Sequence, residues 1–535
     1  MFYLDDGVLG GSIRAVRSFC ELLRSELADV GLDLCLRKCE VVPAAGPATE
    51  VSAGEVRDFT WHPDGDIKLL GAPFGSAEFC RSHTLKRKEK AATLLQVVGD
   101  MQDSQAALQL VRHCISYCRL VYSTRTVPPH LHSQALASFS SDVRGALETI
   151  AGDGMDDRSW AQAQLPVRHG GLGLRCAALH APAAYLASVM EARELCERID
   201  PCFSIMDEAD DLCLQTTRAS LRAAVDASAL PDLVKGTFTQ RTLSGLLDDR
   251  LKASLCDRAQ ADGVFRAHVS LVGLPTAGVW LQAPPVEEDG RAIEPALFRI
   301  ALRRRLRMPV QTGDSFCPLC GDAMDSFGDH ALACQCNGDR TVRHNCLRNI
   351  GCEDARAAGL QPEREKQGLL PARPPEDGIR ASPGDRRPAD VWLPRGPRNR
   401  PTALDFAVTS GLRAALWRQV AESPNHVFEQ YEQYKRSYKD TQRLCEEQGF
   451  AFLPMVMEAH SGAWSPDARK AWDFVARSMS AAWNEGQEPS SLKLAQRLCC
   501  SLQRENARGV LRRLAEADLD QAAETWEPMT ELALI

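Results

Sequence analysis

Three groups of residues in this chain have the types and spacing to do chemistry. Cys317 and Cys320 form a Cys-x2-Cys knuckle, and His330 and Cys334 follow within fourteen residues. Two thiolates on one turn, closed by an imidazole and a third thiolate, make the tetrahedral set that suits Zn²⁺. Cys336, His344 and Cys346 are near enough in sequence to compete for the fourth position, and the bland alternative is a group of reduced cysteines beside a surface histidine. Asp390 and Asp405 stand fifteen positions apart, with a loop between the strand-like segments VWL and ALDFAV. Antiparallel strands joined in this way can bring both carboxylates to one sheet edge. Two carboxylates and a nearby Lys are the minimum apparatus for holding Mg²⁺ (or Mn²⁺), polarising a phosphodiester and orienting a water. Spacing alone equally fits two exposed acids. Asp5 and Asp6, before Gly7, sit on a hairpin signal where paired carboxylates can hold a hard cation against phosphate oxygens; by itself Asp-Asp-Gly is only a turn.

The elements that must position these residues fall into several units, as 535 residues predicts at roughly 100 to 200 residues per domain. Residues 1–80 read as a small α+β unit, with a helix beginning after Ser12 and carrying Ile13, Val16, Phe19, Cys20, Leu23 and Leu27 on one face. Residues 81–190 and 191–300 read as helical. Residues 301–350 hold a basic run and the Cys/His segment. Prolines crowd 362–401, after which Ala403–Val408, a helix with tyrosines at 431, 434 and 438, and the apolar Phe450–Met457 give the order strand, strand, helix, strand of an α/β unit over 351–480. Residues 481–535 begin as an amphipathic helix with Leu494, Leu498 and Leu502 at four-residue spacing and end acidic. The fold class expected is therefore multidomain, α+β and α/β.

Phe2-Tyr3-Leu4-Asp5-Asp6 resembles the YxDD turn of reverse transcriptases. Three later segments come in the order of that family: GLDLCLRKCE resembles the segment ending in a Lys near the polymerase site, KLLGAPFG the primer grip, and LPVRHGGLGL the stretch after the thumb of non-LTR retrotransposon polymerases. CPLCGDAMDSFGDHALAC resembles the CCHC knuckle that precedes the endonuclease of site-specific non-LTR elements. Arg387-Pro388-Ala389-Asp390 followed by ALDFAVTS resembles the PD...(D/E)xK arrangement of the restriction-like endonucleases in those elements. The resemblance spans about residues 1–190 and 300–465, leaving 191–300 and 480–535 without an interpretable motif.

The resemblance implies a truncated palm at 1–80, a thumb at 81–190, a helical connector at 191–300, a zinc knuckle within 301–350, an endonuclease at 351–480 and a helical tail at 481–535. It implies Asp5 and Asp6 as metal ligands, Lys38 near the leaving pyrophosphate, and Leu70–Gly75 against the primer strand. Ala407 stands where the restriction-enzyme form has Lys, so the cation must come from the following helix, with Lys435 preferred to Lys439. Glu365 resembles the first-helix Glu of that fold, or is a solvent-exposed acid. The family's first catalytic Asp lies before the YxDD turn, which here begins at residue 3, so DNA synthesis by this chain is not expected. The expected reading is a retroelement fragment that nicks target DNA for insertion of an element RNA copy. The alternatives are a catalytically dead nucleic-acid-binding remnant and a helical protein-interaction scaffold.

Composition limits the partners. A net charge of −8 opposes uniform attraction to nucleic acid, so contact must rely on local patches. Arg303, Arg304, Arg305 and Arg307, with Arg340 and Arg343, are the candidates for gripping phosphate, against the common case of a solvated basic face. No apolar run reaches the length of a membrane span and no secretion signal opens the chain, so the cysteines are expected to be reduced thiols in the nucleus or cytoplasm.

Overall fold

The computed structural model describes residues 2–3, 6–43, 56–199, 211–226, 228–234, 236–258, 262–372, 386–482 and 490–514. The architecture is mixed α+β, mostly helical, with short sheets. At the N-terminal end Phe2–Tyr3 pairs antiparallel with Asp6–Gly7, Tyr3 opposite Asp6, so the acidic segment lies on a hairpin. Asp5 and the Asp6 side chain lie outside the described residues. Ser12 caps the helix Ile13–Asp29 by accepting a hydrogen bond from the Ala15 N–H at 3.3 Å. Its apolar face is only partly covered: Cys20 is buried, Ile13, Val16, Leu23 and Leu27 are half-buried, and Phe19 is exposed. The strands nearby pair only in twos and offer no broad sheet face to pack on.

Ile67–Leu69 and Ala72–Phe74 form a hairpin whose turn residues Leu70 and Gly71 have φ of +46° and +83°, and the Tyr122 hydroxyl donates to the Leu70 carbonyl at 2.7 Å. The helix Ala77–Gly99 then packs on Pro129–Ala151, and Tyr117–Thr126 on Ala177–Ile199. Between these pairs the GGLG segment makes a close backbone crossing. A Cβ on Gly171 would stand 2.1 Å from the Leu165 carbonyl oxygen and 2.4 Å from that of Gln162, so only glycine fits.

One hydrophobic core runs from Ala91 to Leu514 and joins the helices, the Cys/His segment and the C-terminal sheet. This corrects the division read from the sequence. Each of the boundaries at 80, 190, 300, 350 and 480 falls inside a helix, because shifts in composition mark changes of surface chemistry rather than gaps in packing. The largest surprise is Ser490–Leu511. It is no peripheral tail; it lies against Asp339–Ala357, Pro295–Arg305 and Pro466–Ala482 with Leu498, Cys500 and Leu502 fully buried.

The C-terminal sheet has the order Ala451–Glu458, Thr402–Thr409, Val391–Leu393, Glu363–Arg364. Thr402–Thr409 runs parallel to Ala451–Glu458 and antiparallel to Val391–Leu393. The sheet's two long strands, Thr402–Thr409 and the edge strand Ala451–Glu458, are buried along most of their length, as a sheet covered on both faces requires. Leu404 and Phe406 share a core with Leu347, Trp472 and Val475, which places Asp339–Ala357 and Pro466–Ala482 on one face. Val456 packs with Val427 and Phe428 of His426–Ser437 on the other. The strand, strand, helix, strand order expected from the sequence is present here. No described helix is long and apolar enough to cross a membrane.

Candidate functional site

Asp390 ends the loop before Val391–Leu393, and its N–H donates to the Leu404 carbonyl at 2.9 Å. That bond extends the ladder by one residue and holds the Asp390 side chain beside the neighbouring strand. There its carboxylate accepts the Phe406 N–H at 2.6 Å. Asp405 therefore sits between the two residues that grip Asp390. From one face, His344 of the helix Asp339–Ala357 brings Nε2 to 3.3 Å from Asp390 Oδ1. From the other, Lys435 of the helix His426–Ser437 brings Nζ to 2.8 Å from Asp405 Oδ2. Four side chains, one from a strand, one from the loop residue before the neighbouring strand and two from helices, thus converge, all of them at least half-buried.

The electrostatics follow from that burial. Desolvation lifts the Asp405 carboxyl to about 6; the Lys435 ammonium pulls against the rise and the Asp390 carboxylate adds to it. Burial also works against the Lys435 ammonium, but Asp405 outweighs it and the Lys435 pKa is raised. The pair is held as an ion pair whose acid titrates close to neutrality. Lys439 is elsewhere, with its Nζ 5.5 Å from the Tyr438 ring centre. Glu365 is exposed and paired with Arg348 and, at 3.7 Å, Arg387, so it does not join the carboxylates. His344 was legible in the sequence only as a competitor for zinc; the structure sets it beside Asp390 instead.

The Cys/His segment forms a second site. Ser315–Phe316 and Ala323–Met324 make a hairpin, closed by the Cys317 N–H to the Asp322 carbonyl at 2.8 Å. Asp325 then caps the next turn, accepting the N–H groups of Phe327, Asp329 and His330 at 2.9, 3.1 and 3.0 Å, and so aims His330 back at the knuckle. The ligand atoms of Cys317, Cys320, His330 and Cys334 all lie within 4.8 Å of one another. Tetrahedral zinc with sulfur ligands needs about 3.7 Å between ligand atoms, so the donor set and its spacing fit that ion. Cys336, His344 and Cys346 are not in the group. Among the described residues no other set of His, Cys, Asp or Glu converges this closely, and the Asp390–Asp405 pair is not a preformed metal cage.

Beside the knuckle, burial pushes the Cys334 thiol up but Arg513 and neighbouring donors bring it down to about 6. Arg513 is fully buried and also donates to Asp339 Oδ2 at 2.7 Å and to the Cys336 carbonyl at 3.1 Å. The end of the Ser490–Leu511 helix therefore clasps the zinc segment.

The arginine run requires a correction. Arg303 donates to the carbonyls of Ala151, at 2.9 Å, and Gly152. Arg304 donates to the Phe327 carbonyl at 2.7 Å, Arg305 to that of Ala277 at 2.9 Å, and Arg307 pairs with Asp329 at 2.7 Å. Arg343 is bonded to Asn506 at 2.8 Å. All but half-buried Arg303 are buried, so these five guanidiniums join elements of the core and are not offered to phosphate. Arg340 alone of the six is exposed. Lys38, on the short turn Leu36–Lys38, is exposed, and its distance from Asp5 lies outside what is described.

A constellation that sequence reading missed has the residue types of a serine hydrolase. Ser410 Oγ is 2.8 Å from His460 Nε2, and His460 Nδ1 is 3.6 Å from Asp329. Its polarity is wrong for that chemistry. Arg304, which can only donate, is 3.0 Å from Nδ1, and burial lowers the His460 pKa, so the neutral ring carries its proton on Nε2 and donates to Ser410. The serine cannot be deprotonated by that ring. Glu458 completes the network, accepting the Gly411, His460 and Ser461 N–H groups at 3.1, 3.0 and 2.7 Å, and so ties together the turns that follow the two long strands.

No protein-family model matches this chain, and no curated protein matches it.

Proposed function

We propose that this chain is a retroelement-type protein whose chemistry is the metal-dependent nicking of target DNA at Asp390 and Asp405. The reading rests on one observation above all: Lys435, from the helix after the second strand, reaches to 2.8 Å from Asp405 while Asp390 is tied to the same strand segment by the Phe406 N–H. That supplies two carboxylates and a cation at one sheet position. Mg²⁺ or Mn²⁺, when bound by Asp390 and Asp405, would neutralise charge on the scissile phosphate. Lys435 stabilises the charge that develops as water adds to phosphorus and the P–O bond to the leaving sugar oxygen breaks. His344 and the Phe406 N–H orient the Asp390 carboxylate. The Cys317, Cys320, His330 and Cys334 group, holding zinc, serves to fold its segment rather than to react. Element RNA and target DNA are the partners this reading assigns, and Asp5, Asp6 and Lys38 remain the positions where the family resemblance would place polymerase chemistry.

The test is plasmid nicking by the full chain in Mg²⁺ and in Mn²⁺. Asp390→Ala and Asp405→Ala should each remove nearly all activity, with the double variant little worse, because the carboxylates act as a unit. Lys435→Ala should cost more than Lys439→Ala. Activity that persists in the double variant, or no activity with either metal in the wild type, defeats the proposal and leaves a nucleic-acid-binding remnant as the reading.

A further inference from the structure

The helix His426–Ser437 carries more than Lys435. Its solvent positions are mostly filled as such positions usually are, with Glu429, Gln430 and Gln433 exposed and Arg436 partly exposed. Three positions break the pattern. Tyr431, Tyr434 and Tyr438 recur at spacings of three and four, which puts them on one face. Their ring centres are 5.8 and 5.6 Å apart, with planes tilted by 57° and 46°, so they form a continuous aromatic row. Tyr431 is half-buried against the Leu416, Val427 and Phe428 cluster, while Tyr434 and Tyr438 are 53% and 47% exposed. The row starts at the carboxylate site, since Tyr431 and Lys435 are neighbours on that face. It then runs outward into solvent.

Two further features fit this row to a polyanion. At its outer end Lys439 and Asp440 both have left-handed φ, +52° and +57°, a conformation that non-glycine residues adopt at a cost. That turn lays the Lys439 ammonium over the Tyr438 ring at 5.5 Å. The row is thus bracketed by two ammonium groups, Lys435 and Lys439. The opposite side of the same helix is different: Glu429, Glu432, Asp440 and Glu446 line an open groove in which Arg436 is engaged by Glu432 and Asp467, and Arg443 by Asp440 and Glu447. With four carboxylates against two guanidiniums, that groove is the less favourable side of the helix for a phosphate chain.

We propose that Tyr434 and Tyr438, anchored by Tyr431, are a stacking rail for the unpaired bases of a nucleic acid strand that lies beside the Asp390–Asp405–Lys435 site, with Lys439 meeting its phosphate. The occupant is a strand with free bases rather than an intact duplex, because exposed phenol faces offer stacking, and a duplex keeps its base faces covered. DNA and RNA share that chemistry. The position of the rail gives it meaning for the proposed nicking activity and rests on that reading; the binding itself does not require hydrolysis.

The experiment measures binding of a labelled short oligothymidylate and of the matching oligouridylate to the full chain by fluorescence anisotropy. Tyr434→Leu combined with Tyr438→Leu should weaken binding by at least about tenfold, and Tyr434→Phe with Tyr438→Phe should restore most of it, because the ring face and not the hydroxyl makes the contact. Affinity for a fully paired duplex should be unchanged, and thermal unfolding should not shift, since both rings are exposed. The stronger of the two oligonucleotides identifies the strand as DNA or RNA. Wild type that binds neither oligonucleotide, a leucine variant that binds as wild type, or a phenylalanine variant as weak as the leucine one overturns the inference. Nicking that survives while binding is indifferent to the tyrosines overturns the rail alone; tyrosine-dependent binding without any nicking overturns only the proposed function.

Discussion

Replacing Lys435 with methionine separates the charge balance of the carboxylate site from its packing, because the two side chains are close in length and Met keeps the apolar stem. Asp405 stands at about 6, above the ordinary carboxyl range, because burial disfavours its charged form more than Lys435 favours it. The sign is set by the raised value. Asp405 contributes full stability below the ordinary carboxyl range, where it is neutral in both folded and unfolded chains, and that contribution is lost as pH rises through 6. Lys435 limits the loss by pairing with the ionised carboxylate at 2.8 Å. Without it the Asp405 pKa should move further up, and each added unit should cost about 1.4 kcal/mol of folding free energy at a pH where Asp405 must ionise. At pH 4.5 the acid is protonated and the methionine avoids desolvating an ammonium, so the variant should be as stable as the wild type or more so. Carboxyl NMR titration reads the pKa directly, and urea melts at pH 4.5, 6 and 7.5 read the energy. A variant equally destabilised at all three values would refute the argument, since the contact would then be packing and not charge. Lys439→Met should leave the Asp405 titration unmoved.

Further outcomes are expected elsewhere. If divalent cations bind at Asp405, its proton competes with them, and the affinity measured by calorimetry should fall about tenfold between pH 7 and pH 5; a flat profile would place the metal on other groups. One Zn²⁺ per chain should be found by metal analysis and lost in the Cys317→Ser, Cys320→Ser variant, with the local fold going with it because structural zinc couples on the order of 10 kcal/mol of binding to folding. Gly351→Ala puts a methyl 2.8 Å from Phe406 Cζ and 2.9 Å from Trp472 Cη2, and should cost about 1–3 kcal/mol in chemical unfolding. Arg513→Met strips one of two arginine partners from the buried Asp339, Arg512 remaining, and should cost about 1–3 kcal/mol, together with faster zinc loss to a chelator.

The features legible in the sequence were short in range. Cys317, Cys320, His330 and Cys334 lie within eighteen residues, so their spacing nearly fixes their geometry. The strand, strand, helix, strand order showed because Ala403–Val408 and Phe450–Met457 are apolar runs too short for helices, whereas Lys435 and Lys439, four apart, share a face by helical spacing and are separated only by the end of the helix at Ser437, which no local signal marks. The Ser490–Leu511 helix shows the limit. Its leucines announce an apolar face, but Arg513 meeting Asp339 and Asn506 meeting Arg343 join positions over 160 residues apart, which no local pattern encodes. The arginine run had a usable local signal that charge counting hides. Pro295–Arg305 is apolar around nearly its whole circumference through Leu302, so it had to be a core helix, and the arginines at its C-terminal end had to lie where unpaired carbonyls and helix dipoles collect. A guanidinium with five donors is the side chain that can satisfy several such carbonyls at once, as Arg305 does for Ala277, Val167 and Gly171. A cluster of arginines closing an apolar helix is therefore evidence for a buried junction, and the place to look for nucleic-acid contacts is where a cation stands on an otherwise uncovered aromatic face.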